Sequence, residues 1–133
     1  MMTLTNASAT SRSSTTKSTF KSRLTLEQRL AESKRIRAKY PQSIPLICEY
    51  SGDGNLPAVD KCKFLVPRDF TTAQFMFVLR KRISIDSHKA VFIFYGNDVL
   101  ASSSDTFGMI YERMKDDDGF LYAKYSGENT FGG

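Results

Sequence analysis

The sequence predicts a single α+β domain in which helices pack on a mixed β-sheet. Of its 133 residues, 41% are hydrophobic and 25% are charged, which is typical of one ordinary globular domain. Segments with helical periodicity alternate with short apolar segments typical of strands. No apolar run approaches the ~18 residues that span a bilayer, so we expect no transmembrane helix.

The composition of the N-terminal segment predicts a disordered tail. Residues 1–19 are rich in Ser and Thr, with Arg12 and Lys17 as their only charges. They contain too few large apolar side chains to offset the entropy of ordering. The absence of acidic residues also resembles an organellar transit peptide, although no clear apolar face runs through the segment.

Two helices are predicted before the first strand. A short one is expected around Phe20–Arg23, and a longer one begins at Thr25, which can form a capping box with Gln28. Residues at helical spacing follow, and Pro41 ends the helix. They are Leu26, Leu30, Ser33, Ile36 and Tyr40.

The remaining elements are predicted from alternation, apolar runs and turn residues. Strands are expected at 44–50, 61–67, 90–95, 99–100 and 120–125, and helices at 71–83 and 107–114. The order αββαββαβ matches the β-grasp of ubiquitin-like proteins, with a mixed four-stranded sheet and an added N-terminal helical segment. The domain is expected to span residues 20–125, followed by a flexible tail over residues 126–133.

Positive charge is concentrated in the first part of the chain. Residues 1–48 hold nine basic and two acidic residues, a net charge of +7, whereas residues 49–133 have a net charge of −2. Such a distribution favours an acidic partner, namely a phosphate backbone, an anionic membrane or an acidic protein surface. A solubilising tail and a solvated helix face are the simpler explanation.

The side chains that enzymes and metal sites need are sparse. His88 is the only histidine and lies in a polar loop, and Cys48 is expected to be a buried, inert thiol. Strand alternation points the side chains flanking Cys62 to the opposite face. Asp116–Asp118 predict a solvated turn. We therefore expect no enzyme, no catalytic residue, no cofactor and no metal site.

The predicted strands have apolar residues on both faces of the sheet. Ile44, Leu46 and Cys48 alternate with Pro45, Ile47 and Glu49, and Cys62, Phe64 and Val66 alternate with Lys61, Lys63 and Leu65. The helix at 71–83 can cover one face, and Leu30 and Ile36 can partly cover the other. That helix carries two apolar stripes, one of Phe75 and Val78 and another of Met76, Leu79 and Ile83. The surplus predicts either a wide core or apolar clefts, bordered by basic residues, for an extended peptide.

Several segments resemble the GABARAP-like autophagy modifiers. They are FKSR at 20–23, IPLI at 44–47, LPAVDKCKFLVP at 56–67, RKRI at 80–83, DGFLY at 118–122 and ENTFG at 128–132, together with Lys39-Tyr40-Pro41. The resemblance covers about residue 18 to the end. It implies a ubiquitin-like protein that is coupled to phosphatidylethanolamine and acts in autophagosome formation, or alternatively a modifier of protein lysines. We expect a cytoplasmic protein that becomes lipid-anchored on autophagosome membranes.

The resemblance also implies two peptide-binding pockets. The first, for an aromatic side chain, is formed by Glu32, Ile36, Pro45, Ile47, Lys63, Leu65 and Phe120. The second, for an aliphatic side chain, is formed by Phe64, Val66, Pro67, Phe70, Phe75, Val78 and Arg82. Ser43 departs from the basic residue that many relatives have there, which weakens the expected contact with acidic flanks of the peptide.

The C-terminus is expected to serve as a substrate. Gly132 matches the glycine that ends the mature form of the family, and Gly133 is either a one-residue extension or a second acceptable terminus. The implied partners are a trimming cysteine protease, E1-like and E2-like conjugation enzymes, receptors with an aromatic-x-x-aliphatic motif, a phosphatidylethanolamine membrane and, for some relatives, microtubules. Nucleic acid is not an expected partner, because outward aromatic residues do not interleave with the basic ones.

Overall fold

The computed structural model describes residues 18–128. Residues 1–17 and 129–133, which include Gly132 and Gly133, lie outside the described residues. The elements are α1 Phe20–Arg23, α2 Leu26–Lys39, β1 Ser43–Tyr50, β2 Lys63–Pro67, α3 Thr72–Ile83, β3 Phe92–Tyr95, β4 Val99–Leu100, α4 Phe107–Met114 and β5 Leu121–Ser126.

The strands form one mixed sheet in the order β2-β1-β5-β3-β4. β1 and β5 are parallel, and the other neighbouring pairs are antiparallel. The α+β prediction is confirmed, but the described sheet has five strands instead of four. The fifth is β4, whose two residues pair with Phe94 and Tyr95 of β3.

Threonine caps begin each of the four helices found within residues 18–128. Thr19, Thr25, Thr71 and Thr106 each accept a hydrogen bond from the backbone N–H three residues later. The predicted capping box at Thr25 is present, and such caps stabilise a helix by about 0.5–2 kcal/mol. The predicted bounds of α1 are confirmed, whereas β1 begins one residue earlier than predicted, β2 and β3 begin two residues later, and β5 is shifted by one residue and ends at the buried Ser126.

The main core lies between the sheet and helices α3 and α4. Phe75 contacts Phe64 and Phe107 edge to face, with ring centres 5.2 and 5.4 Å away. The buried stripe of α3 is Thr72, Phe75, Leu79 and Ile83, whereas Phe77 is 62% exposed. The predicted division of Phe75 and Leu79 into separate stripes is therefore wrong.

A second apolar cluster covers the opposite face of the sheet. It consists of Phe20, Ile36, Ile47 and Phe120, all buried. Ile36 covers this face as predicted, but Leu30 does not, since it is 42% exposed. Phe20 of α1 provides the remaining cover, with its ring centre 5.1 Å from that of Phe120.

Cys62 lies on the face opposite to the predicted one. It packs against the second apolar cluster, whereas Phe64 and Val66 belong to the main core. β2 begins only at Lys63, so strand alternation does not extend back to Cys62.

The acidic turn is partly buried, which corrects the prediction that it is solvated. The Asp118 carboxylate is inaccessible to solvent and accepts hydrogen bonds from Arg29 Nη1 at 2.7 Å, the Tyr122 hydroxyl at 2.6 Å and the Phe120 N–H at 2.9 Å. Its backbone carbonyl accepts a hydrogen bond from the Ser33 hydroxyl. Asp118 therefore joins α2 to the start of β5.

Candidate functional site

β2 is an edge strand of the described sheet, and one of its faces presents the first predicted pocket. Leu65 lies opposite Pro45 in the β1–β2 register, and Lys63 lies opposite Ile47. Ile36 and Phe120 lie beneath them in the second apolar cluster. Leu65 and Lys63 are partly buried, whereas the other residues of this patch are fully buried, so β2 forms the accessible side of the patch.

An ion-pair network borders this patch. Glu32 contacts Lys63 Nζ at 2.8 Å and Arg35 Nη2 at 2.9 Å. Partial burial works to raise the pKa of Glu32, but the hydrogen bonds from Arg35 and Lys63 outweigh it and hold the pKa below its ordinary value. The network fixes the charged end of Lys63 beside the apolar surface. All seven residues expected in the first pocket are thus brought together: Glu32, Ile36, Pro45, Ile47, Lys63, Leu65 and Phe120.

Phe20 is a residue of this patch that the sequence analysis did not assign to it. Its backbone N–H donates to Glu49 Oε2 at 2.8 Å, and its ring lies 5.9 Å from Lys63 Nζ. Burial raises the pKa of Glu49, partly offset by that hydrogen bond. The available signal was an aromatic residue inside a four-residue capped helix, which has no reason to form alone.

Two residues expected in the second pocket, Phe64 and Val66, lie on the other face of β2, whereas Pro67 shares the face of Leu65 by strand alternation. Phe64, Val66 and Phe75 are fully buried in the main core, and Phe70 packs against that core. Pro67, Val78 and Arg82 are partly buried. The guanidinium carbon of Arg82 is 5.5 Å from the centre of the Phe64 ring, so the Arg82 side chain lies over this ring. Three of the seven predicted residues are therefore core residues, and four are accessible.

The described cavity of about 450 Å³ lies elsewhere. It is lined by Arg37 of α2, by the end of α4 and by the acidic turn, and none of the predicted pocket residues borders it. The predicted pocket residues therefore lie outside this cavity.

Both thiols are poor candidates for nucleophiles. Burial raises the pKa of Cys48 and of Cys62 above the ordinary thiol value, which disfavours the thiolate. Within residues 18–128, no group of three His, Cys, Asp or Glu side chains is placed to hold a metal ion. The helices of the same part of the chain are too short or too polar to cross a membrane.

Comparison with known proteins gives a consistent result. The family model described as "Autophagy protein Atg8 ubiquitin like" matches residues 28–132. Autophagy-related protein 8b of Arabidopsis thaliana is 52% identical over 88% of this chain and 95% of its own, and autophagy-related protein 8 of Mycosarcoma maydis is 51% identical over 87% and 98%. A crystal structure of Trypanosoma brucei ATG8 superposes with a TM-score of 0.79 at 44% identity, covering 88% of this chain and all of that one. The chain belongs to the Atg8 family and is an autophagy-related, ubiquitin-like modifier.

Proposed function

We propose that this modifier is joined through its C-terminal glycine to phosphatidylethanolamine and recruits receptor peptides along β2 during autophagosome formation. The observation that carries the peptide part is an edge strand with accessible apolar side chains near both sides of the sheet. Leu65 and Pro67 lie on one face of β2, and the partly buried Phe70 packs against the main core on the other side, with Lys63 and Arg82 adding positive charge.

The edge of β2 is suited to an extended peptide. Its outer N–H and C=O groups can pair with an added strand, which contributes affinity, while side-chain patches contribute specificity. Successive residues of an added strand point to opposite faces, so the aromatic and aliphatic residues of an aromatic-x-x-aliphatic peptide, which are three positions apart, can reach the two sides of β2. The basic side chains favour acidic residues in the peptide, although Ser43 offers no charge for its flank.

The conjugation chemistry uses the chain as an acyl donor and not as an enzyme. Partner enzymes would remove Gly133, form an adenylate and then a thioester at the Gly132 carbonyl, and transfer that carbonyl to the lipid amine. Glycine suits a narrow enzyme tunnel because it lacks a Cβ. Two acyl chains at ~0.8 kcal/mol for each buried CH₂ suffice for stable anchoring. The family match extends to residue 132, which supports Gly132 as the acyl residue.

Intact mass spectrometry of the protein from its own cells tests the conjugation. We expect the mass of a chain ending at Gly132 plus one phosphatidylethanolamine minus water, whereas the mass of a chain ending at Gly133 would place the amide one residue later. Gly132→Ala should remove this species and the membrane-bound fraction. If membrane-bound protein persists unchanged in that variant, the anchoring proposal fails, whereas high-mass protein conjugates that are lost with Gly132→Ala would favour the lysine modifier.

A matched pair of leucine variants tests the peptide site. We expect Leu65→Ala to weaken binding of an aromatic-x-x-aliphatic peptide at least about tenfold, as removal of a central interface anchor does. Leu26→Ala makes the same chemical change on the exposed surface of α2, where Leu26 is 49% exposed, and should leave affinity unchanged. Ile47 is a poorer choice because it is fully buried, so its truncation also destabilises the fold. Equal affinity of the wild type and Leu65→Ala by calorimetry would refute the site.

A further inference from the structure

The end of β5 is held against the loop that follows β1. The Gly127 N–H donates to the Asp53 carbonyl at 2.9 Å, and the Ser51 N–H donates to the Tyr125 carbonyl at 2.9 Å. Ser126, which lies between these two points on β5, is fully buried. The last described residues of the chain are therefore fixed to the loop and do not leave the sheet directly.

Two glycines make the closest part of this contact possible. A Cβ added to Gly54 would lie 2.2 Å from the Gly127 Cα, and a Cβ added to Gly127 would lie 2.5 Å from the Gly54 carbonyl oxygen. Both obstacles are backbone atoms, which cannot move aside as the end of a flexible side chain can. Gly54 also has a φ of +89°, which L side chains rarely adopt. We call this pair the glycine contact.

The loop is itself attached to the fold by aromatic residues. The rings of Tyr50 and Tyr125 stack with their centres 5.3 Å apart. The Tyr125 hydroxyl donates to the Pro57 carbonyl at 2.8 Å, and the Leu56 N–H donates to the Tyr50 hydroxyl at 2.9 Å. Because the loop is held on both sides of Gly54, the glycine contact ties Gly127 to a rigid part of the molecule.

We propose that Gly54 and Gly127 are positioning residues that fix the exit point of the C-terminal segment and thereby speed delivery of its terminal glycine to the conjugation enzymes. This inference rests on the proposed function. With the contact intact, the four residues after Glu128 let Gly132 reach at most ~14 Å from that point. If the chain were free from Gly127 onward, six residues would let it reach ~20 Å, and the effective concentration of the glycine at a docked enzyme would fall roughly two- to threefold.

The test compares Gly127→Ala, Gly54→Ala and the double variant in full-length protein. The quantity measured is the rate at which the protein is coupled to phosphatidylethanolamine in liposomes. The reaction contains the processing protease and the conjugation enzymes of the same cell, with the conjugation enzymes at limiting concentration. Gly96→Ala is the matched control, because Gly96 also has a positive φ, +53°, but nothing lies within 4 Å of its added Cβ. Amide exchange at residue 127 reports directly whether the contact is broken.

We expect each single variant to lose amide protection at residue 127 and to be lipidated about two to three times more slowly, with unchanged affinity for the receptor peptide. The double variant should be no slower than the slower single variant, because both substitutions break one contact. Loss of protection with a wild-type rate would overturn the role in delivery, and retained protection in both single variants would overturn the contact itself. A wild type that is never lipidated while residue 127 stays protected would overturn the proposed function, and the delivery role with it.

Discussion

Phe20 is expected to stabilise the fold although it lies on a helix of four residues. Its side chain is 4% exposed, so its burial contributes about 1.5–3 kcal/mol. The edge-to-face contact with Phe120 adds about 0.5–1.5 kcal/mol. Since α1 lies at the surface and can move when the ring is removed, the cavity is not enclosed and no further cavity cost is expected. Phe20→Ala should therefore lower the free energy of unfolding by about 2–4 kcal/mol.

Urea-induced unfolding followed by far-ultraviolet circular dichroism measures this effect in a chain without tryptophan. With a slope of about 2 kcal/mol per molar urea, the midpoint should fall by roughly 1–2 M. Phe77→Ala removes the same ring from a site that is 62% exposed and should change stability by less than about 0.5 kcal/mol. If the two variants unfold at the same urea concentration, the second apolar cluster does not depend on α1 and the reasoning is refuted.

Two further predictions concern charged residues. Asp118→Ala should lower the free energy of unfolding by on the order of 2 kcal/mol, because the Tyr122 hydroxyl loses its acceptor. Asp117→Ala, at an exposed position, should have little effect. Equal urea midpoints of the two variants would contradict the role of Asp118 in joining α2 to β5. Glu32→Gln should be less stable than the wild type at pH 7. Although burial opposes it, pairing with Lys63 and Arg35 lowers the pKa of Glu32, so its contribution is complete above the ordinary value of 4.5 and is lost as the pH falls through the lowered value. Urea midpoints of the two proteins should therefore converge in acid, and a gap that persists there would exclude the ion pairs as its cause.

Local features were predicted well because their causes lie within a few residues of one another. The Thr25 capping box and the start of α3 directly after its cap Thr71 depend on a side chain and a backbone N–H three positions apart. The two-sided apolar pattern of β1 follows from strand alternation, and the structure confirms it with Leu46 in the main core and Ile47 in the second apolar cluster.

The errors concern contacts between residues that are distant in sequence. Leu30 and Ile36 belong to the same predicted apolar pattern of α2, and only the packing of this helix on the sheet decides that Ile36 is buried and Leu30 is exposed. Asp118 looks like its neighbours in an acidic turn, and its burial depends on Arg29, which precedes it by 89 residues. A pattern within a few neighbouring residues cannot predict contacts between residues so far apart in sequence.

The amino-acid sequence alone determined the α+β class, the helix starts, the surplus of apolar residues on β1 and β2, and the resemblance to a conjugated modifier. The tertiary structure decided that Phe20 packs beneath the first predicted peptide pocket, that Arg82 lies over the Phe64 ring of the second predicted pocket, and that two glycines bring the end of β5 against the loop after β1. The physical reason is that capping and alternation act through covalent neighbours. Burial of one element's side chains by another, and contact between distant backbone segments, by contrast depend on how separate elements are placed in space.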